Sequence, residues 1–213
     1  MTEANNTSAD YLVALGKVQR FPRKEIELCI VKNFLNPDEC RKLMALIDEK
    51  RRPSAIADPN GDDYFRTSET CDLDHADGFV AEIDAKICAF ADIDAKFGEP
   101  LQGQRYAVGQ EFKAHTDFFD PNGQDFQKYC SISGQRSWTF MIYLNEPEAG
   151  GATRFPHFKK SFTPETGTML CWNNRNLDSS VNDWTLHHGM KVRKGTKYVI
   201  TKWYREKPWP WNG

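Results

Sequence analysis

The chain contains no apolar run approaching the roughly 20 residues of a membrane-spanning helix, so none is expected within it. Neither sign of charge is in excess: 28 Lys and Arg against 30 Asp and Glu leave a formal net charge of −2. A nucleic-acid partner held by bulk electrostatics is therefore not expected. The opening residues, MTEANNTSADYLVALGK, show neither a basic n-region nor a long apolar h-region, so no secretory signal is read there. Cysteine is present without organisation. Cys29, Cys40, Cys71, Cys88, Cys130 and Cys171 fall outside CxxC and zinc-finger spacings. That scatter predicts reduced, partly buried thiols and a cytoplasmic protein. Internal repeats and low-complexity tracts are also missing.

What remains is a chain of 213 residues, enough for one domain with a sizeable core. Residues 1–22 are polar and are expected to form a flexible N-terminal segment, with the domain over 23–213. Glu27 to Val31 reads as a short strand. Asn36, Pro37, Asp38 and Glu39 spell a helix start, with an N-cap, proline in the first turn and early acids. Leu43, Leu46 and Ile47 continue it at helical spacing until Arg51-Arg52-Pro53. A second helix is expected from Gly78 to Lys96, burying Phe79, Val80, Ile83, Ile87 and Phe90. From Leu101 the pattern changes to short strand-like runs separated by turn signals, with a long polar loop over Asp120 to Gly134. The order implies an α+β, mainly β fold: a double-stranded β-helix, or jelly roll, with N-terminal supporting helices.

Two His-x-Asp triplets occur, His75-Ala76-Asp77 and His115-Thr116-Asp117. Context separates them. His115 lies where Phe112, His115, Phe118 and Phe119 interleave with polar residues, as in a strand entering a loop. Residues i and i+2 of a strand share a face, so His115 and Asp117 can converge on one metal ion. His75 lies in an acidic run before the second helix, where Asp74 and Asp77 read as turn and N-cap residues.

A second histidine is needed to complete a metal site, and the chain offers His187 and His188 side by side. In a strand only one of them can point at the metal. Two imidazoles and one carboxylate would hold one face of Fe(II) and leave the other positions open, as in non-heme oxygenases. Lys197 follows the turn at Gly195. A buried ammonium there would need an anionic partner, and the distal carboxylate of 2-oxoglutarate supplies one.

The segments RYAVGQEFKAHTDFFDP, GQRSWTFMIYLNEPEAGGATRFP and LHHGMKVRKGTKYVITKWYREKPW together resemble the prolyl 4-hydroxylases of the Fe(II)/2-oxoglutarate dioxygenase superfamily. The resemblance runs over about residues 25 to 208 and is strong from Tyr106 onward. It implies Fe(II), 2-oxoglutarate and O2 as cofactors, with ascorbate as an accessory reductant. It implies His115, Asp117 and His187 as catalytic metal ligands, the interval to Gly195-Thr196-Lys197 selecting His187 over His188. It assigns Lys197, Tyr106 and Thr153 to 2-oxoglutarate, and Arg136 and Trp203 to the neighbourhood of a peptide substrate. Ala152 and Arg154 stand where the family usually has Glu and Val, and Met190-Lys191 where it usually has Cys-Pro. Those departures spare the metal site and leave the substrate open.

The expected function is Fe(II)- and 2-oxoglutarate-dependent hydroxylation of prolyl residues in a protein or peptide partner, with no nucleic acid and no membrane involved. Rival readings are a dioxygenase acting on a free amino acid or other small molecule, a non-catalytic jelly-roll binding domain, and a zinc hydrolase that would give Lys197 no role. Target protein, ring position and oligomeric state are not encoded in these motifs.

Overall fold

The computed structural model describes residues 18–54, 65–123 and 126–210. Its layering follows from strands in which both faces are buried. Lys197–Arg205 (β14) is buried at all nine positions. Tyr198, Ile200 and Tyr204 face one apolar cluster with helical residues in it, and Val199 faces another. Arg136–Tyr143 (β7) divides in the same way: Trp138, Phe140 and Ile142 join the first cluster, Met141 and Tyr143 the second. The period of two therefore sorts each strand between a helix-covered side and an inter-sheet side.

These strands are central in an eight-stranded sheet. Its order is β1 (Gln19–Arg20), β2 (Leu28–Val31), β11 (Met169–Asn173), β7, β14, β5 (Gln102–Tyr106), β4 (Glu69–Asp72) and β3 (Arg52–Pro53). A four-stranded sheet has the order β10 (Lys160–Phe162), β9 (Thr153–Phe155), β12 (His187–Gly189) and β6 (Phe112–His115). A two-stranded ribbon joins β8 (Ala149–Gly150) to β13 (Val192–Lys194). Every one of these pairings is antiparallel. Phe155 from the small sheet packs with Tyr106, Met141, Leu170, Trp172 and Val199 from the large one. The architecture is the jelly roll with N-terminal helices that the alternation of short strands predicted.

The helices cover the outer face of the large sheet. Pro37–Lys50 (α1) begins with a full capping box: Asn36 accepts from the Asp38 and Glu39 amides, and Glu39 accepts from the Asn36 amide. Leu43 and Ile47 are fully buried. Ile47 lies so close to β5 that a Cβ at Gly103 would collide with it. Gly78–Ala91 (α2) is capped by Asp77, whose carboxylate accepts from the Phe79 and Val80 amides.

Two expectations change in the structure. The second helix ends at Ala91 rather than Lys96, because Asp92 adopts a left-handed conformation (φ 53°) and its amide returns to the Cys88 carbonyl. A 3-10 turn over Ala95–Phe97 fills the remainder. The expected loop from Asp120 to Gly134 contains a short helix, Phe126–Cys130 (α3). The expected flexible segment, 1–22, lies mostly outside the described residues. Its end, Gln19–Arg20, pairs with β2, and Phe21 packs on Phe158 and Phe162.

Candidate active site

The large sheet and the small sheet each contribute a wall to a single polar centre. β6 and β12 set His115 directly opposite His187 in register, with ring centroids 4.2 Å apart. Asp117 lies two residues past β6, and its Oδ2 is 3.9 Å from His187 Nε2. One ligand atom from each of His115, Asp117 and His187 can be chosen so that all lie within 4.8 Å of one another. Among the described residues these form the one such cluster of His, Cys, Asp and Glu.

The donor set suits a metal ion in chemistry as well as in spacing. His115 Nδ1 is 2.7 Å from the Lys113 carbonyl, and His187 Nδ1 is 2.9 Å from the Thr185 carbonyl. A carbonyl only accepts, so both Nδ1 atoms carry the proton and both Nε2 lone pairs are left for coordination. Burial first, and the neighbouring His187 second, push the His115 imidazole well below its ordinary pKa. It is held neutral, as a ligand must be. Phe112 stacks on His115 at 3.4 Å between centroids and fixes its ring plane. Asp117 accepts a 2.7 Å hydrogen bond from the Thr139 hydroxyl.

Beside the three ligands a cavity of about 50 Å³ is lined by Tyr106, Thr153, Lys197 and Thr201, among others. Lys197 is 2% exposed. Burial alone lowers its ammonium from the ordinary 10.5 to about 7. Tyr106 is its register partner across β5 and β14, and burial raises that phenol, which keeps it a donor. Thr153 accepts a 2.7 Å hydrogen bond from Tyr143. Gly151 protects the lysine's position: it has φ +71°, and a Cβ there would approach Pro147 to 3.0 Å and the Lys197 Cδ to 3.3 Å. A buried lysine and several hydroxyl groups therefore line one cavity, an arrangement that can receive a carboxylate.

A wider groove of about 550 Å³ is also lined by His115 and Asp117. Phe65, Phe119, Tyr129, Trp203 and Trp209 contribute aromatic surface to it. Arg136 is not a free hydrogen-bond donor here. Its Nε and Nη2 meet Glu99 at 2.7 and 2.8 Å, and its guanidinium lies 3.9 Å over the Trp203 ring. One face of Trp203 is thus taken by Arg136, and the pair acts as a composite wall.

His188 turns away from the metal ligands, with Nε2 3.1 Å from Glu111. His75 lies elsewhere, 3.5 Å from Asp84, while Asp74 accepts from the Ala76 amide in a turn. Several residues that face the centre carried no signal in the sequence. Arg66 lines both cavities, donates to the side chains of Ser68, Thr70 and Gln102, and stacks 4.7 Å over Phe112. Thr139, Asn174 and Trp172 belong to strands and loops distant from the triplet. An Arg-x-Ser or a lone Asn is too common a pattern to have singled them out.

Residues 101–205 match the family model described as the 2OG-Fe(II) oxygenase superfamily. The protein named probable prolyl 4-hydroxylase 8 of Arabidopsis thaliana is 30% identical over 200 residues, covering 82% of this chain and 67% of its own length. Among solved structures, the viral collagen prolyl hydroxylase of Paramecium Bursaria Chlorella virus-1, in its 2OG complex, superposes with a TM-score of 0.67. It is 27% identical, covering 84% of this chain and 95% of its own. A prolyl hydroxylase of Trichoplax adhaerens, solved with a hypoxia inducible factor peptide, shares the fold at 14% identity, with a TM-score of 0.63 and coverage of 95% and 89%.

Proposed function

Since the chain belongs to the 2OG-Fe(II) oxygenase superfamily and is a relative of the prolyl 4-hydroxylases, we propose that this Fe(II)- and 2-oxoglutarate-dependent dioxygenase hydroxylates prolyl residues within a protein or peptide. The observation that carries this reading is the position of the three ligands. His115 and Asp117 line both a small cavity that Lys197 also lines, with His187, and a wider aromatic groove. A small dicarboxylate suits the first and an extended polymer the second.

His115, Asp117 and His187 would hold Fe(II), their two neutral imidazoles and one carboxylate leaving three positions for exchangeable ligands. Fe(II) bound there, with 2-oxoglutarate and O2, supplies the oxidising power that hydroxylates a carbon centre. The residues do the rest. Lys197 pairs with the distal carboxylate, which relieves the desolvation that burial imposes on its ammonium. Tyr106 donates to that carboxylate, and Thr153, with Tyr143 behind it, closes the wall. Burial of this end keeps water from competing for the same donors. Ascorbate enters as an accessory reductant in the same reading.

The groove supports a peptidyl proline. A proline-rich segment is already ordered as polyproline II, and aromatic walls suit its ridged surface. Arg136 and Trp203 line the groove together with His115 and Asp117, and a prolyl ring can pack against the indole edge that reaches it. Free proline would bring a buried ammonium and a buried carboxylate, each needing a partner. The acids at the groove are already engaged or peripheral: Glu99 is held by Arg136, and Asp120 is exposed. The test offers free L-proline and an end-blocked proline-containing peptide together and follows the mass gain of one oxygen atom. Turnover of the peptide is expected. Turnover of free proline alone would favour a small-molecule dioxygenase instead.

We also place the protein in a reducing compartment, the cytoplasm. The support is a set of six cysteines, none of them in a disulfide, with all but Cys88 buried. Cell fractionation followed by thiol labelling under denaturing conditions tests this.

A further inference from the structure

Behind Asp117 a chain of buried hydrogen bonds runs away from the ligands, and its polarity is fixed. Trp172 Nε1 is 3.1 Å from Asn174 Oδ1. Asn174 Nδ2 is 2.9 Å from Thr139 Oγ1, and Thr139 Oγ1 is 2.7 Å from Asp117 Oδ2. Thr139 and Asn174 are fully buried, and Trp172 is 1% exposed. An indole N–H can only donate, so Asn174 must present its oxygen to Trp172 and its amide to Thr139. The threonine hydroxyl then accepts from Asn174 and has a single proton left, which goes to Asp117. Asp117 accordingly always meets a donor.

The backbone holds this chain rigidly. Trp172 and Thr139 are register partners on β11 and β7. The Asn174 amide donates to the Ser137 carbonyl at 2.7 Å, and its carbonyl accepts from the Asn182 amide at 2.9 Å. Trp172 also packs edge-on against the His187 ring at 4.8 Å between centroids. One side chain therefore touches one ligand directly and reaches another through two intermediates.

We propose that Trp172, Asn174 and Thr139 form a positioning relay that orients the Asp117 carboxylate to bind metal through one oxygen. The proposal rests on the reading of His115, Asp117 and His187 as the metal site. A carboxylate free to turn could chelate the ion with both oxygens and take up one of the positions that a two-point oxoacid and O2 require. The Thr139 hydroxyl resists that turn through a charge-assisted bond in a buried setting. Thr139 and Trp172 also line the small cavity, but their hold on the carboxylate runs through the hydrogen bond to Asp117.

The test is an anaerobic Fe(II) titration of Thr139→Val, Thr139→Ser and Trp172→Phe, with thermal melting of each metal-free protein as the control for folding. Thr139→Val keeps the shape and removes the donor. It should weaken Fe(II) binding by about 10- to 100-fold, the range for groups that orient a metal ligand, while the metal-free protein still melts cooperatively, at a somewhat lower temperature because the Asn174 amide loses its acceptor. Thr139→Ser restores the hydroxyl and should restore affinity. Trp172→Phe keeps the packing on His187, frees Asn174 to flip, and should fall between the two. Unaltered affinity in Thr139→Val would overturn the relay, and so would equal losses in Thr139→Val and Thr139→Ser, which would point to packing alone. If Thr139→Val does not fold, Trp172→Phe decides on the same two measurements. Full Fe(II) affinity in Asp117→Ala would overturn the metal assignment itself, an outcome separate from failure of the relay.

Discussion

Lys197 lies directly opposite Tyr106 across β14 and β5, with its ammonium 5.2 Å from the centre of the phenol ring. Its second aromatic neighbour is Tyr143, at 5.5 Å. Two rings soften the burial of a cation, but they do not replace a carboxylate. Among the described residues none pairs with it, and burial is the sole cause of its depressed pKa. In the proposed function a ligand carboxylate is the partner of this charge.

Replacing that charge should cost cosubstrate binding and little else. Lys197→Ala is expected to weaken 2-oxoglutarate binding by on the order of 3 kcal/mol, or about 150-fold, the scale of a buried ion pair broken on one side. Calorimetric titration of 2-oxoglutarate and of Fe(II) checks both halves. An unchanged 2-oxoglutarate affinity would give the anchoring role to another residue.

The same lysine predicts a pH dependence with a definite sign. Without ligand its pKa is about 7, so the ammonium is present below pH 7 and lost above it. A bound carboxylate favours the charged form and raises that pKa. Binding above pH 7 must therefore take up a proton, and 2-oxoglutarate affinity should fall by up to about tenfold per pH unit as pH rises. Titrations at pH 8 in two buffers of different ionisation enthalpy measure the proton directly. Zero uptake would contradict this account of Lys197.

The two His-x-Asp triplets should behave oppositely. Asp117→Ala is expected to abolish Fe(II)-dependent succinate formation. Asp77→Ala removes only the cap of α2 and should cost about 1 kcal/mol of stability with activity retained. Succinate assays and thermal melts on both variants separate the cases, and equal activity losses would refute the assignment.

The neighbouring histidines offer a sharper comparison. His187→Ala should lose Fe(II), whereas His188→Ala removes a contact to Glu111 on the other side of the strand and should bind it normally. Metal titration of the two variants decides this. The reverse outcome would shift the register of β12 by one residue.

Glu99 holds two cations at once. Its Oε1 is 2.7 Å from Arg136 Nε and 2.7 Å from Arg205 Nε. Burial pushes its carboxyl up, but Arg136 and Arg205 outweigh burial and keep it below its ordinary value. Glu99→Ala leaves both guanidinium groups buried without their anion and should destabilise the fold by about 3–5 kcal/mol. Denaturant unfolding measures the loss, and a variant as stable as the unaltered protein would show that water or another acid compensates.

Local chemistry is legible in the amino-acid sequence. Asn36 with Glu39, and Asp77 before an apolar stripe, specify helix starts through bonds made within a few residues. The short runs of aromatic and β-branched residues at 138–144 and 198–204, bounded by turn signals, specify strands, because composition and punctuation need no distant partner to be seen. His115 and Asp117 can be paired for the same reason: both the motif and its context lie in one short segment.

What tertiary structure alone decided depends on contacts between strands far apart in the chain. Both faces of β14 are mixed in sequence, and both are buried, because Lys202 finds Asp84 on α2 at 2.6 Å while Lys197 turns into the cavity. The placement of Arg136 over Trp203 depends on β7 lying beside β14. The link from Trp172 through Asn174 and Thr139 to Asp117 depends on β11 lying beside β7. The sequence by itself determined which residues could bind metal and how each segment alternates, since those depend on side-chain type and local spacing. Antiparallel pairing decided which of those faces meet, and a hydrogen bond between strands has no local period by which it could be read.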